Sequence, residues 1–196
     1  MSSDATAPFR DFDAVVIGAS AGGVHALQVL LSSLDASLPV PVLIVLHVPR
    51  DRPSRLASLL DGLCALPVTE AIDKQPLRPG TVTVAPPDYH LLVEDHDTLA
   101  LSMDEEVLFS RPAIDPLFES AAAVFGQRLL GLLLTGASSD GTHGVARIRA
   151  AGGTVWIQCP EEAAAPLMPA SALAGPGADA VLTLSSMCDA LKRVLP

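Results

Sequence analysis

Apolar residues fall along this chain in two alternating patterns, and each pattern predicts an element. Asp13 to Gly18 is apolar after its first residue, so it reads as a strand buried on both faces. In Gly22 to Leu34, Val24, Leu27, Leu30 and Leu31 recur with helical spacing. Pro39 and Pro41 interrupt the chain before a second buried strand, Val42 to Leu46, which ends at His47. Arg52 to Leu63 reads as a helix with Pro53 in its first turn. Thr81 to Val84 is a short strand stopped by Pro86-Pro87. Leu91-Leu92-Val93 and Leu99-Ala100-Leu101 flank the polar turn Glu94-Asp95-His96-Asp97, the pattern of a hairpin. Asp115 to Phe125 is helical, Leu129 to Thr135 a strand, Thr142 to Ala151 a helix and Thr154 to Gln158 a strand. Val181 to Leu184 predicts the last strand and Ser186 opens a terminal helix. This alternation implies an α/β fold: a doubly wound, mostly parallel sheet with an antiparallel hairpin excursion, in a single three-layer domain. The domain is expected over 13–196, behind a polar, flexible lead-in at 1–12.

Composition narrows the function. The 196 residues are 49% hydrophobic but only 4% aromatic, a balance that suits a parallel sheet covered on both faces. The net charge of −10 argues against nucleic acid as a partner. Cys64, Cys159 and Cys188 have no metal-binding spacing and fit buried thiols of a reducing compartment. Neither metal nor cofactor is expected. The N-terminus lacks the basic-then-apolar form of a signal peptide. No apolar run approaches the ~18 residues of a membrane span, so the expected location is the cytoplasm.

The turn after the first strand, Gly18-Ala19-Ser20-Ala21-Gly22, spells G-x-S-x-G, the form of a nucleophile elbow. The same strand–turn–helix could instead bind a phosphate at the helix N-terminus. Function in open α/β sheets collects at the carboxyl ends of strands. Three polar residues stand at such ends: Ser20, His47 and Asp140, a nucleophile, a base and a carboxylate that can orient the base. Each has a plainer reading. Ser20 and Asp140 could cap the helices that follow them, and His47 could be a loop residue bonded to a carbonyl. Their coincidence at three strand ends favours catalysis. Dinucleotide binding is the rival reading. It meets Ser20 where the pattern wants its second glycine, and His47 where an acidic residue should meet the ribose. A P-loop is excluded because no Gly-Lys-Ser/Thr follows.

At these residues the chain resembles the catalytic domain of the CheB family, the protein-glutamate methylesterases of bacterial chemosensory systems. Relatives carry I-G-A-S-T-G-G where this chain has Ile17-Gly18-Ala19-Ser20-Ala21-Gly22-Gly23, and Q-H-M-P around Leu46-His47-Val48-Pro49. A P-G…A-P…H segment matches Pro79-Gly80, Ala85-Pro86 and His90. R-P-S-x-D-x-L-F matches Arg111 through Phe118, and L-T-G-M-G-x-D-G matches Leu134 through Gly141. The resemblance implies a Ser20–His47–Asp140 triad that hydrolyses glutamate γ-methyl esters on methyl-accepting chemoreceptor cytoplasmic helices, releasing methanol. It also implies glutamine deamidation by some members. The backbone N–H groups of Ala21 and Ala137 are the expected oxyanion donors, and Arg111 is the expected substrate contact, with a structural salt bridge as its alternative. The chain departs from the family pattern at Ala21, Ser110, Ala137 and Ser138. The other function class kept open is a catalytically idle, CheB-like interaction module.

His90 is expected to make a structural hydrogen bond, Asp115 to cap a helix, and His25, His96 and His143 to stand outside the chemistry. Because the chain is acidic, a locally neutral or basic face is expected beside the site, drawn from Arg50, Arg52, Arg55 and Arg111. Family members usually carry an N-terminal receiver domain. Only a dozen residues precede the first strand, so no receiver is expected within this chain and control by its own phosphorylation is not anticipated.

Overall fold

A computed structural model describes residues 12–195. Apart from Phe12, which is buried, the expected lead-in lies outside the described residues. Seven strands form one parallel sheet: β1 (Ala14–Ala19), β2 (Val42–Leu46), β3 (Val68–Glu70), β4 (Val82–Val84), β7 (Leu129–Leu133), β8 (Thr154–Gln158) and β9 (Ala180–Leu182). Their order across the sheet is β3-β4-β2-β1-β7-β8-β9. The strands β5 (His90–Val93) and β6 (Leu99–Ser102) form the separate antiparallel hairpin. The helices are α1 (Gly23–Leu31), α2 (Leu56–Asp61), α3 (Ile114–Phe125), α4 (Thr142–Ala150), α5 (Leu167–Ala174) and α6 (Leu184–Val194).

Side-chain alternation along each strand divides the core in two. Val15, Ile17, Ile44, Leu130 and Leu132 pack on one face with α1, α2 and α6. Val16, Leu43, Val45, Leu133 and Ile157 pack on the other with α3, α4, α5 and the hairpin. Both faces of β1 and β2 are therefore covered, which is why neither strand carries a polar residue inside its bounds. The hairpin lies on α3, where the Val93 N–H donates to Ser120 Oγ at 3.1 Å.

Several boundaries differ from the expectation. Helix α2 starts at Leu56 because Ser54 Oγ accepts the Leu56 N–H at 3.1 Å and keeps Arg52 to Ser54 outside it. Strand β9 stops at Leu182, since Thr183 turns out of the sheet to cap α6 by accepting the Ser186 N–H. Strand β3 and helix α5 had no clear pattern. The first offers one buried residue on a sheet edge, and the second has a proline in its first turn.

Helices α3 and α4 meet closely at Gly144. A methyl group there would fall 2.4 Å from Phe118 Cβ and 3.2 Å from Asp115 Oδ1. Gly144→Ala should therefore lower stability by about 1–3 kcal/mol, the usual penalty of overpacking. Urea unfolding of the two proteins checks this, and equal midpoints would show that the helices separate without cost.

Candidate active site

The sheet reverses its winding at β1, with β2 on one side and β7 on the other. That is the switch point at which open α/β sheets leave a crevice. Ser20 follows β1, His47 follows β2, and Asp140 follows the loop after β7.

The turn at Ser20 depends on Gly22, whose φ is +79°; a Cβ there would also meet Ala164 Cβ at 2.6 Å. Thr135, at 1% exposure, clamps this turn. Its carbonyl accepts the Ser20 N–H at 2.9 Å, and its hydroxyl donates to the Ala21 carbonyl at 2.9 Å and accepts the Ala165 N–H at 2.8 Å. Thr135 is held in turn by Gln158, whose Oε1 accepts its N–H at 2.8 Å. The N–H groups of Ala21 and Ala137 donate to no other group among the described residues.

His47 extends the β1–β2 ladder by one step, its N–H donating to the Ala19 carbonyl at 3.2 Å. Its Nδ1 lies 3.1 Å from Ser20 Oγ and its Nε2 lies 2.7 Å from Asp140 Oδ2. The carboxylate fixes the tautomer: Nε2 carries the proton, and Nδ1 is left to accept from the serine. The ring thus faces its serine through Nδ1, the reverse of the chymotrypsin arrangement. Its side chain is 14% exposed.

Asp140 is fully buried. Besides His47, Oδ2 accepts the Ile114 N–H at 2.6 Å, while Oδ1 accepts the N–H groups of Asp115 at 3.0 Å and Gly141 at 2.9 Å. The carboxylate therefore caps α3 rather than the helix that follows it in sequence. Asp115 returns the arrangement, for its Oδ1 accepts the Gly144 N–H in the first turn of α4 at 2.7 Å. It too caps a helix other than its own.

The segment leading into α3 is anchored by two residues singled out in the sequence. Arg111 directs Nε and Nη2 to Asp88 Oδ1, at 3.1 and 2.7 Å, and Nη1 to the carbonyls of Met103 and Asp104, both at 3.0 Å. Its side chain is 15% exposed and its guanidinium is engaged within the protein, as in the salt-bridge reading. His90, buried, accepts the Ala113 N–H at Nδ1 and donates from Nε2 to the Glu105 carbonyl. His25 and His143 are exposed, and His96 meets Phe125 edge to face. Thr135 and Gln158 escaped the sequence reading. The only signal for Thr135 was its place inside the Leu134–Gly141 motif. Among the described residues no three His, Cys, Asp or Glu side chains cluster as a metal site, and no helix is long and apolar enough to cross a membrane.

Residues 15–191 match the CheB methylesterase family. The chain belongs to this family. A putative protein-glutamate methylesterase/protein-glutamine glutaminase of Leptospira interrogans is 40% identical over 184 residues, covering 94% of this chain and 95% of the relative. A protein-glutamate methylesterase/protein-glutamine glutaminase of Symbiobacterium thermophilum is 39% identical over 92% of this chain, but only 50% of that protein is covered. The crystal structure of the Thermotoga maritima CheB methylesterase catalytic domain superposes with a TM-score of 0.89 at 31% identity, covering 94% of this chain and 99% of that one. The fold described above is therefore that of the CheB catalytic domain.

Within this CheB fold, Asp115 is a second buried acid beside Asp140. Burial, reinforced by the Asp140 charge, raises its carboxyl from 3.8 to about 6, against the opposing hydrogen bond from Gly144. The folded protein thus holds a proton between these values that the unfolded chain releases. This contribution to stability is complete below 3.8 and is lost as pH rises through about 6. Asp115→Asn removes it. The stability of the wild type relative to this variant should rise steadily as the pH of urea titrations is lowered from 7 towards 4. A difference that stays constant over that range would contradict the assignment.

Proposed function

We propose that this chain is a serine hydrolase that removes methyl groups from glutamate γ-methyl esters on the cytoplasmic helices of methyl-accepting chemoreceptors, acting in the cytoplasm. The observation that carries this reading is the continuous Ser20–His47–Asp140 hydrogen-bond chain at neighbouring strand ends of a CheB-family fold. The names of the relatives support the substrate class.

In this mechanism Ser20 Oγ attacks the ester carbonyl while His47 Nδ1 takes its proton. Asp140 holds the ring and stabilises the imidazolium through Nε2. The developing oxyanion is met by the N–H groups of Ala21 and Ala137, which have no competing partner among the described residues. The Ala at both positions leaves this contribution intact, because the donor is backbone. Collapse of the tetrahedral intermediate expels methoxide, which takes the proton from His47 Nδ1 and leaves as methanol. Water, deprotonated by the same nitrogen, then attacks the acyl-serine and frees the glutamate carboxylate and Ser20. A glutamine side chain entering the same site would release ammonia by the same steps.

The reading is tested by methanol release from a methylated receptor cytoplasmic fragment. Ser20→Ala and His47→Ala should abolish release. Asp140→Asn should cost on the order of 10⁴ in rate, as at other triads, since an amide favours the wrong tautomer. Ammonia release from receptor glutamine should show the same dependence on Ser20. Wild-type protein with no turnover of any methylated receptor would sink the proposal and favour the idle interaction module.

A further inference from the structure

Of the four arginines expected to make a neutral or basic face beside the site, Arg50 and Arg111 are ion-paired within the protein, which leaves Arg52 and Arg55. Val24, in the first turn of α1 and four residues after Ser20, is 40% exposed, and Leu59 on α2 is 46% exposed. Between them runs a groove of about 400 Å³ lined by Leu46 and Val48, the residues on either side of His47, with Arg55 at its rim. Leu46 pairs in register with Ala19, the residue before Ser20. The groove therefore lies next to the strand ends that Ser20 and His47 follow, though neither residue lines it.

Arg50, Arg111, Arg128, Arg149 and Lys74 all lie in ion pairs. Arg52 and Arg55 are exposed, and neither forms an ion pair among the described residues. In a protein of net charge −10, Arg55 at the rim of an exposed apolar groove, with Arg52 three residues before it in the chain, complements an occupant that is apolar on one stripe and acidic beside it.

We propose that this groove docks the stretch of receptor helix next to the esterified glutamate. Its apolar ridge lies against Val24, Leu46, Val48 and Leu59, and its acidic side chains meet Arg52 and Arg55. The inference rests on the methylesterase reading above. Helix geometry makes it reachable: residues three, four and seven positions from the ester share its face, and seven residues span only about 10 Å. An amphipathic helix laid in an apolar groove and read at those positions is an established mode of recognition. The substrate glutamate is thus chosen by its neighbours along the helix as well as by the triad.

The test compares a methylated receptor cytoplasmic fragment with a small N-acyl glutamate γ-methyl ester. The measured quantity is selectivity, the ratio of kcat/KM for the two. Arg52→Glu/Arg55→Glu should lower this ratio at least tenfold, chiefly through KM for the fragment, as expected for arginine anchors. Leu59→Gln, at an exposed position, should lower it severalfold. Arg78→Glu/Arg147→Glu changes the net charge equally at exposed positions elsewhere and should leave the ratio unaltered. Added salt should raise the wild-type KM for the fragment towards that of the groove variant. An unchanged ratio in both groove variants overturns the proposal, as does an equal loss in the Arg78/Arg147 control. If the wild type hydrolyses neither ester, the methylesterase reading fails, and fluorescence anisotropy with a labelled receptor fragment decides the groove separately. Binding weakened tenfold by the Arg52/Arg55 variant keeps it, and equal binding removes it. A dimer in sedimentation that Leu59→Gln dissociates would instead assign the groove to a second copy of the chain and overturn the proposal.

Discussion

A carboxylate without solvent holds this site together. Asp140 is fully buried, and a charge there is tolerable only when every lone-pair direction meets a donor. Three backbone N–H groups and the His47 ring provide those donors. Two of the N–H groups belong to the first turn of α3, where the helix dipole also favours negative charge. Loss of one partner from such a group typically costs about 3–5 kcal/mol, so the start of α3, the loop after β7 and the His47 ring have one low-energy arrangement. The reciprocal bond from Gly144 to Asp115 ties α4 to α3 in the same way, and the two caps lock the helices that frame the carboxylate.

Ser20 is held by a second set of contacts. Ser20 depends on a left-handed glycine and on Thr135, which reaches the elbow through its carbonyl and its hydroxyl at once. Thr135 stands just past β7, the strand that also leads towards Asp140. One strand thus sets both ends of the Ser20–His47–Asp140 chain, and β2 places the imidazole between them. Parallel pairing of β2, β1 and β7 is what converts three distant stretches of sequence into one hydrogen-bonded line.

Much of this was legible in the chain. Strands β1, β2 and β7 read clearly because burial on both faces leaves them unbroken apolar runs. Ser20, His47 and Asp140 could be picked out because each closes such a run or the turn after it. What could not be read were interactions made across elements. Asp140 suggested a cap for α4, yet two of its three backbone donors come from α3, some 25 residues earlier, a choice made by packing. Thr135 and Gln158 carry no local signal, since a buried threonine or glutamine at a strand end looks like any other polar stop. The Arg111 ion pair with Asp88 and the His90 bonds depend on how the hairpin folds back onto α3. Strand β3 and helix α5 were missed for a simpler reason: one is too short for a period, and the other contains a proline.

In the proposed mechanism the ester carbonyl is attacked by Ser20 Oγ, poised by a buried, fully bonded Asp140 through His47. The most direct measurement is acid quenching of the wild-type chain during its first turnovers of a small glutamate γ-methyl ester, followed by peptide mapping by mass spectrometry. A glutamyl ester on Ser20 should form as methanol is released and decay as glutamate appears. Methanol release with no adduct on Ser20, or with the acyl group on Cys159 instead, would contradict this mechanism.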